Sequence, residues 1–338
     1  MILVCGGLAD SVTELVCARL ADCGYPYRLL DLGTYPAGFK VKWHWQTSGP
    51  SGYIASPDWR LDLDELTGIF SRYVGPEGRV PLPNLEPDLV QTMYSEYDAG
   101  LMLLLEDLPC VVVNRLGGGM SNNSKTYQAL LVRQCGLLTP PTLVTNDPSS
   151  AQRFFEENEG EVIYKSLSGI RSIVRRVQPE QLARLPLLRN GPAQFQSLIP
   201  GDNIRVHTVG DQLFATRVHS ETVDYRYASL EGETVRMEPT SLPPAVAKSC
   251  LRLARELDLL LTGIDLKETP DGEYYCFEVN PCPGFLYYER HTHQPISTAL
   301  ASLLHHGLTE TANQCEQNEH RQTRGAFHPD EKLTTINS

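Results

Sequence analysis

No stretch of the 338-residue chain approaches the ~20 uninterrupted apolar residues that a bilayer-spanning helix requires, so a soluble protein is expected, with no membrane partner. Positive charge is short. The 29 Lys plus Arg face 41 Asp plus Glu, a formal net charge of −12, and that field repels a phosphate backbone unless a local basic patch overrides it. Nucleic acid is therefore not an expected partner. The nine cysteines show no paired Cys-x-x-Cys spacing, and the start MILVCGGLAD lacks the basic segment and long apolar core of a secretory signal. A reducing, cytoplasmic setting follows as an expectation. His291, His293, His305 and His306 lack companions at zinc-ligand spacing, which excludes a zinc reading. There is no internal repeat. With 41% hydrophobic and 21% charged residues the bulk is not disordered, and only the polar tail 309–338, without Trp or Tyr, reads as disordered or as a docking segment.

What is present reads as α/β (α+β) in several packed units. The apolar run Met1–Cys5, the pair Gly6-Gly7, apolar positions Val12, Leu15, Val16 and Leu20 at helical spacing, then Gly24 and YRLLD predict a β-α-β opening. The Gly pair does not supply a dinucleotide fingerprint and reads as a tight strand-to-helix turn. Alternation from Phe39 to Trp45 predicts a hairpin with one buried face, on which the Trp residues pack. Residues 88–105 read as a helix and Pro109–Asn114 as a buried strand, ending a first unit at 1–115. Gly117-Gly118-Gly119 reads as a flexible connector into a second unit, 116–190, in which a capped helix runs from Ser124 to Cys135 and stops at Gly136. Glu161–Lys165 then reads as a strand, Ser166–Ser172 as a small-residue loop, and Ile173-Val174 as the returning strand. A third unit, 191–308, alternates strands and closes with a helix near 296–306.

Two hairpins carry chemistry. Between Thr262 and Pro281, two alternating runs flank the turn signal Thr269-Pro270-Asp271-Gly272. With a four-residue loop, Ile264, Leu266, Tyr275, Phe277 and Val279 share an apolar face, while Asp265, Cys276, Glu278 and Asn280 share the other. Two carboxylates and an amide suit Mg²⁺, although the same residues also suit a solvated polar face. The rigid turn Pro281-Cys282-Pro283-Gly284 behind Asn280 favours the metal reading. In the second hairpin, a two-residue Gly210-Asp211 turn puts Arg205 and His207 on an open face with Phe214, and Ile204, Val206, Leu213 and Ala215 on the core side, with Arg217 facing away from Arg205. Arg205 could clamp a phosphoryl oxygen or a carboxylate, or form an ion pair.

Lys125 opening a helix, Lys165 before the small loop, the strand from Gln196 to Arg205, and the Asp265…Glu278-Val279-Asn280 hairpin together resemble the ATP-grasp ligases. Within that superfamily the chain looks like the RimK-like amino-acid ligases and the graspetide (microviridin-type) peptide maturases, through NNSKTYQALLVRQCGLLTPPTLVTND, VIYKSLSG, IPGDNIRVHTVGDQLFA, SETVDYRYA and FEVNPCPGFLYYE. The resemblance covers roughly residues 90–306. It implies an ATP-grasp fold with an N-terminal pre-ATP-grasp domain at 1–115, a central subdomain at 116–190, and a C-terminal subdomain with the Mg²⁺ hairpin at 191–308. It implies ATP held between two sheets, a peptide or amino-acid carboxylate activated as an acyl phosphate, and an amine or hydroxyl as acceptor. Lys125, Lys165, Ser168 and Gly169 would then lie against the phosphates, and Gln196, Ser197, Leu198 and Ile199 against adenine. Asp202 or Asn203 would reach the ribose, and Asp265, Glu278 and Asn280 would hold Mg²⁺. Arg205 would stabilise the acyl phosphate, and Arg226, in Asp224-Tyr225-Arg226, would lie near the carboxylate substrate. RimK-like proteins carry an Asn shortly after that Arg where this chain has Tyr227-Ala-Ser-Leu-Glu-Gly-Glu233, which points away from addition of free glutamate. Many members of the superfamily are dimers, so a homodimer is admitted. The competing readings are a kinase of the same fold and a non-catalytic nucleotide-binding interaction protein.

Overall fold

The computed structural model describes residues 1–47, 49–72, 86–119, 124–167, 174–220 and 235–308. The expected opening is present as β1 (Ile2–Gly6), α1 (Ser11–Asp22) and β2 (Tyr27–Asp31). Asp10 caps α1 by accepting from the Thr13 amide at 2.8 Å. Gly6 lets the helix start close to the strand, since a Cβ there would meet Thr13 Oγ1 at 2.4 Å. The tryptophan hairpin is β3 (Lys40–Gln46) and β4 (Gly49–Ala55), extended by β5 (Arg60–Asp62). Trp43 and Trp59 pack on the core, whereas Trp45, near the hairpin end, is 58% exposed. β6 (Gly68–Ser71), α2 (Pro87–Asp107) and β7 (Val111–Val113) follow, and the strands form a parallel sheet in the order β2-β1-β6-β7. The glycine run, expected as a flexible connector, is a helical turn, α3 (Leu116–Gly119). It is pressed against the chain at Asp258, whose carbonyl oxygen would lie 2.5 Å from a Cβ on Gly118.

The second sheet belongs to the segment containing α4 (Lys125–Gln134), β8 (Thr142–Thr145), α5 (Pro148–Glu157), β9 (Val162–Lys165), β10 (Arg175–Arg176) and β11 (Ala193–Ser197). Ser124 caps α4 through Tyr127 N, and Gly136 ends it in the left-handed region at φ +90°. The returning strand is paired at Arg175–Arg176 with Tyr164 and Ile163; of the expected Ile173-Val174, Val174 is not part of it and Ile173 lies outside the described residues. The order is β10-β9-β11-β8. One face packs Val162 and Phe195 on Ala151 of α5, and the other, carrying Ile163, Lys165 and Gln196, is turned to the cleft.

The third sheet is five-stranded: β12 (Asp202–Val209), β13 (Gln212–His219), β14 (Arg236–Thr240), β15 (Leu261–Glu268) and β16 (Tyr274–Asn280), in the order β14-β13-β12-β15-β16. Its apolar face, with Ile204, Val206, Ala215, Ile264, Leu266 and Val279, packs on α4 and on α6 (Pro244–Glu256). α7 (Leu286–Thr292) and α8 (Ile296–His306) follow, and α8 joins the first and third sheets by burying Leu300 and Leu304 against α1, β1 and Phe214. Gly68 permits this approach, since a Cβ there would lie 2.2 Å from the Leu304 carbonyl oxygen. Asn114 adds a polar joint. Its side-chain amide donates to the Leu261 and Pro281 carbonyls at 2.6 Å each and accepts from the Leu260 and Leu261 amides at 2.9 and 3.0 Å. Among the described residues no helix is long and apolar enough to cross a membrane.

Candidate active site

A cleft open to solvent lies between the second and third sheets. Its walls bring together Lys165 of β9, Gln196 to Ile199 at the end of β11, Asn203 of β12, Asp265 and Lys267 of β15, and Phe277 and Glu278 of β16. Eight of the residues singled out in the sequence therefore meet here: Lys165, Gln196, Ser197, Leu198, Ile199, Asn203, Asp265 and Glu278.

The carboxylate hairpin owes its geometry to two irregularities. Its loop runs over Thr269–Glu273, closed by Thr269 N donating to Glu273 O at 2.9 Å, one residue longer than the expected four. A bulge at Phe277 follows, so Leu266 faces Cys276 on one side of the bulge and Asp265 faces Glu278 on the other. The expected carboxylate face survives, because Asp265, Glu278 and Asn280, the last paired with Gly263, stay on one side. Between loop and bulge the strand is turned over. Cys276 is buried at 2% exposure among Leu266, Val279 and Cys250 and leaves the metal face, while Tyr275 moves out of the apolar face to pair with Lys267. Burial and the neighbouring Cys250 push the Cys276 thiol well above the ordinary thiol range, so it stays protonated.

Asp265 and Glu278 are cross-strand partners, and Asn280 Oδ1, which accepts from Cys282 N at 2.9 Å, keeps a second lone pair. That donor set, two carboxylates and an amide oxygen, fits a Mg²⁺ ion completed by waters and phosphate oxygens. Among the described residues no group of three or more His, Cys, Asp or Glu could hold a metal, so any ion here relies on this smaller set. The strand is held from outside by Gln128 of α4, whose buried side-chain amide donates to Val279 O and accepts from Val279 N, both at 2.8 Å. Leu138 extends the same cover by pairing with Tyr274 and Cys276, so the edge of β16 carries no open ladder over these residues.

Arg205 is 6% exposed, and the face expected to be open is closed by α7. Its guanidinium donates to Asp265 Oδ1 at 2.7 Å and, from Nε, to His207 Nε2 at 3.4 Å, and it lies 5.7 Å from the Tyr288 ring centre. The seat exists because residue 263 is glycine. A Cβ there would lie 1.9 Å from Arg205 Nη2 and 2.7 Å from Pro283 Cβ. Complete burial and the adjacent Arg205 hold His207 neutral, well below the ordinary imidazole range, as an acceptor for Nε must be. Its Nδ1 has no partner among the described residues.

Gln196 is 4% exposed, and the polarity of its amide is determined by its neighbour. Thr142 Oγ1 spends its hydrogen on the Pro140 carbonyl at 2.9 Å, so it can only accept from Gln196 Nε2, also at 2.9 Å. This leaves Gln196 Oε1 as a buried acceptor without a partner among the described residues. Ser197 Oγ is bonded to Asn158 Oδ1.

Other sequence candidates fall elsewhere. Asp202 is not in the cleft: it pairs across the sheet with Glu268, and both carboxylates bind Arg217 on the face opposite Asn203. Of the two ribose candidates, the cleft therefore contains Asn203. Lys125 is the first residue of α4 and is not among the residues lining the cleft. Ser168, Gly169, Arg226 and the 309–338 tail lie outside the described residues. Lys267 and Phe277 line the cleft without having been singled out. Lys267 had a legible signal, since it lies two residues from Asp265 on the same strand face, whereas Phe277 enters only through the bulge. Burial lowers the Lys267 amine below its ordinary value, with Asp202 opposing. Near the turn after Asn280, Arg72 reaches over from the first sheet, binding Asp10 at 2.6 Å and donating to Cys282 Sγ at 3.3 Å.

Residues 121–304 match the family model for the RimK-like ATP-grasp domain. No curated protein sequence matches the chain. Among solved structures, the chain is similar to the macrocyclase MdnC bound with precursor peptide MdnA from Microcystis aeruginosa MRC, with 25% identity, coverage of 90% of this chain and 99% of that one, and a TM-score of 0.76. The ATP-grasp ligase PsnB, complexed with a phosphomimetic variant of a minimal precursor, Mg and ADP, is 25% identical over 90% of this chain and 97% of that one, with a TM-score of 0.73. A RiPP-associated ATP-grasp ligase from Chryseobacterium gregarium shares the fold at 23% identity, covering 90% of this chain and 96% of that one, with a TM-score of 0.79.

Proposed function

Because the chain belongs to the RimK-like ATP-grasp family, it is an ATP-grasp ligase, and we propose that it activates a carboxylate of a ribosomally made peptide for amide or ester formation at the Asp265–Glu278 cleft. The observation that carries this reading is the pairing of Asp265 with Glu278 and buried Arg205 beneath a cleft that also holds Lys165 and the Gln196–Ile199 segment. The peptide substrate is supported by the two 25%-identical neighbours, whose structures contain precursor peptides.

In the proposed reaction a carboxylate oxygen attacks the γ-phosphorus of ATP, the bond from that phosphorus to the bridging oxygen breaks, and ADP leaves. The resulting acyl phosphate is attacked at its carbonyl by an amine or hydroxyl. Its carbon–oxygen bond to phosphate breaks, phosphate departs, and the attacking group loses its proton to solvent or phosphate. No protein nucleophile is required, so positioning and charge stabilisation are what the side chains supply. Lys165 neutralises phosphate oxygens, and Lys125, which starts α4 outside the cleft lining, would join it only by reaching in from there. Gln196–Ile199 hold adenine and Asn203 the ribose. Arg205, kept in place by Gly263, His207 and Tyr288, presents its guanidinium to the acyl phosphate, and Arg226 takes the substrate carboxylate. Asp265, Glu278 and Asn280 would hold Mg²⁺, whose charge offsets that developing on the phosphates when it is bound.

The test supplies Mg-ATP, hydroxylamine as a general acceptor, and synthetic peptides carrying Asp and Glu labelled with heavy oxygen in the side-chain carboxylates. A ligase gives ADP, a hydroxamate detected by mass spectrometry, and one heavy oxygen in the released phosphate. ADP release without heavy oxygen in phosphate refutes carboxylate activation.

A further inference from the structure

Lys267 has no assigned role in the cleft chemistry above. Its place in the sheet is defined on every side. On β15 it is two residues from Asp265, on the same face. Across the sheet it pairs with Asn203 of β12 and with Tyr275 of β16. It lines the same cleft as Lys165, which projects from the opposite sheet, and its side chain is half-buried. Among the described residues it makes no hydrogen bond and no ion pair. Asp202, whose charge favours the ammonium, is itself bound to Arg217 at 2.6 Å.

A half-buried ammonium without a counter-ion is unfavourable, and such groups in folded proteins are normally paired or face an anionic ligand. Position along the strand says which part of a ligand it meets. Residues 265 and 267 of β15 are separated by two strand steps, about 6–7 Å. The step runs from the carboxylate pair toward Asn203 and the Gln196–Ile199 segment. A nucleotide lying with its base on that segment and its terminal phosphate at Asp265–Glu278 therefore passes Lys267 between ribose and β-phosphate.

We propose that Lys267 is a nucleotide-binding residue whose ammonium contacts the α-phosphate, giving the cleft affinity for any adenosine 5′-phosphate independently of the reacting γ-phosphate. The inference rests on the nucleotide reading of this cleft. Its contact is the same before and after phosphoryl transfer, so removing it should raise KM with little change in kcat, the signature of uniform binding.

The experiment measures displacement of a fluorescent ATP analogue from the full-length protein by ATP, AMP and adenosine, in wild type, Lys267→Met and Lys267→Arg. Wild type is expected to bind AMP about tenfold more tightly than adenosine. Lys267→Met should abolish that advantage and weaken ATP by a similar factor while leaving adenosine unchanged, and Lys267→Arg should recover most of the loss. Unchanged adenosine binding also shows that the variant is folded. A wild type that binds ATP but prefers AMP no more than adenosine overturns the inference whatever the variants do, as does a Lys267→Met protein that keeps the AMP preference. Failure of the wild type to bind ATP or adenosine refutes the nucleotide reading itself.

Discussion

Replacing Gly263 by alanine tests the seat of Arg205 with one methyl group. The backbone at 263 is ordinary strand, so alanine brings no conformational strain, and any effect comes from the space the methyl occupies. The added Cβ would lie 1.9 Å from Arg205 Nη2 and 2.5 Å from Cζ. Restoring ordinary van der Waals separation requires the guanidinium to move by about 1.5 Å, and Pro283 Cβ, at 2.7 Å, blocks the methyl on another side. A shift of that size breaks the 2.7 Å bond to Asp265 and the contact with His207. Overpacking of this kind typically costs about 1–3 kcal/mol of stability, and a displacement of ~1 Å in a catalytic group about 100-fold in rate. We therefore expect Gly263→Ala to lower kcat about 100-fold while ATP affinity changes less than threefold, since Gly263 does not line the cleft. ADP release and hydroxamate formation, measured across an ATP titration, read both quantities. A double-mutant cycle sharpens the test: in an Arg205→Met background the methyl should lower kcat hardly further, the remaining contact with Pro283 costing stability only. Wild-type kcat in Gly263→Ala, or losses that simply multiply in the double variant, would refute the seat.

Gln128→Leu removes both partners of the Val279 main chain in a buried setting. A stability loss of about 2–4 kcal/mol by urea titration is expected, with a raised Mg²⁺ requirement for ADP formation, and an unchanged Mg²⁺ requirement would show that β16 holds its ligands without α4. Gln196→Leu deletes the acceptor that suits the 6-amino group of adenine. The preference for ATP over inosine triphosphate should fall about tenfold through weaker ATP binding, and an unmoved ratio would show that the main chain alone reads the base. Although burial works against it, the Thr13 amide and Arg72 hold the Asp10 carboxyl below its ordinary value. A depressed carboxyl adds stability above its unfolded pKa of about 4 that is lost as pH falls through the folded value, so Asp10→Ala should cost about 1 kcal/mol at pH 7 and progressively less in acid. An equal loss at both extremes would assign the effect to packing.

Much of the site was legible because strand alternation is a local property. The Gly210-Asp211 turn fixed the β12–β13 register, and the grouping of Arg205 with His207 and Phe214 followed directly. The carboxylate face was also legible, since Asp265, Glu278 and Asn280 share a parity that survives the irregularities. Cys276 and Tyr275 were misplaced because neither the fifth loop residue nor the bulge at Phe277 has a distinctive residue pattern. Burial of Arg205 was not readable, because what covers it arrives from α7, some 80 residues later in the chain, through Tyr288. Gln128 and Asn114 were invisible for the same reason: an amide that satisfies a distant main chain looks like any polar residue in its own segment.

The four hydrogen bonds of Asn114 bear on how the cleft opens. They fasten the end of β7 to the start of β15 and to the turn behind Asn280, while α8 packs against the first and third sheets together. These two sheets are thus braced as one block. If the cleft opens to admit a nucleotide, we expect the second sheet to be the part that moves, since it joins β12 through Pro200-Gly201. Gly201, at φ +126° and with the Glu268 carbonyl 2.0 Å from where a Cβ would lie, leaves no room for a side chain at that joint.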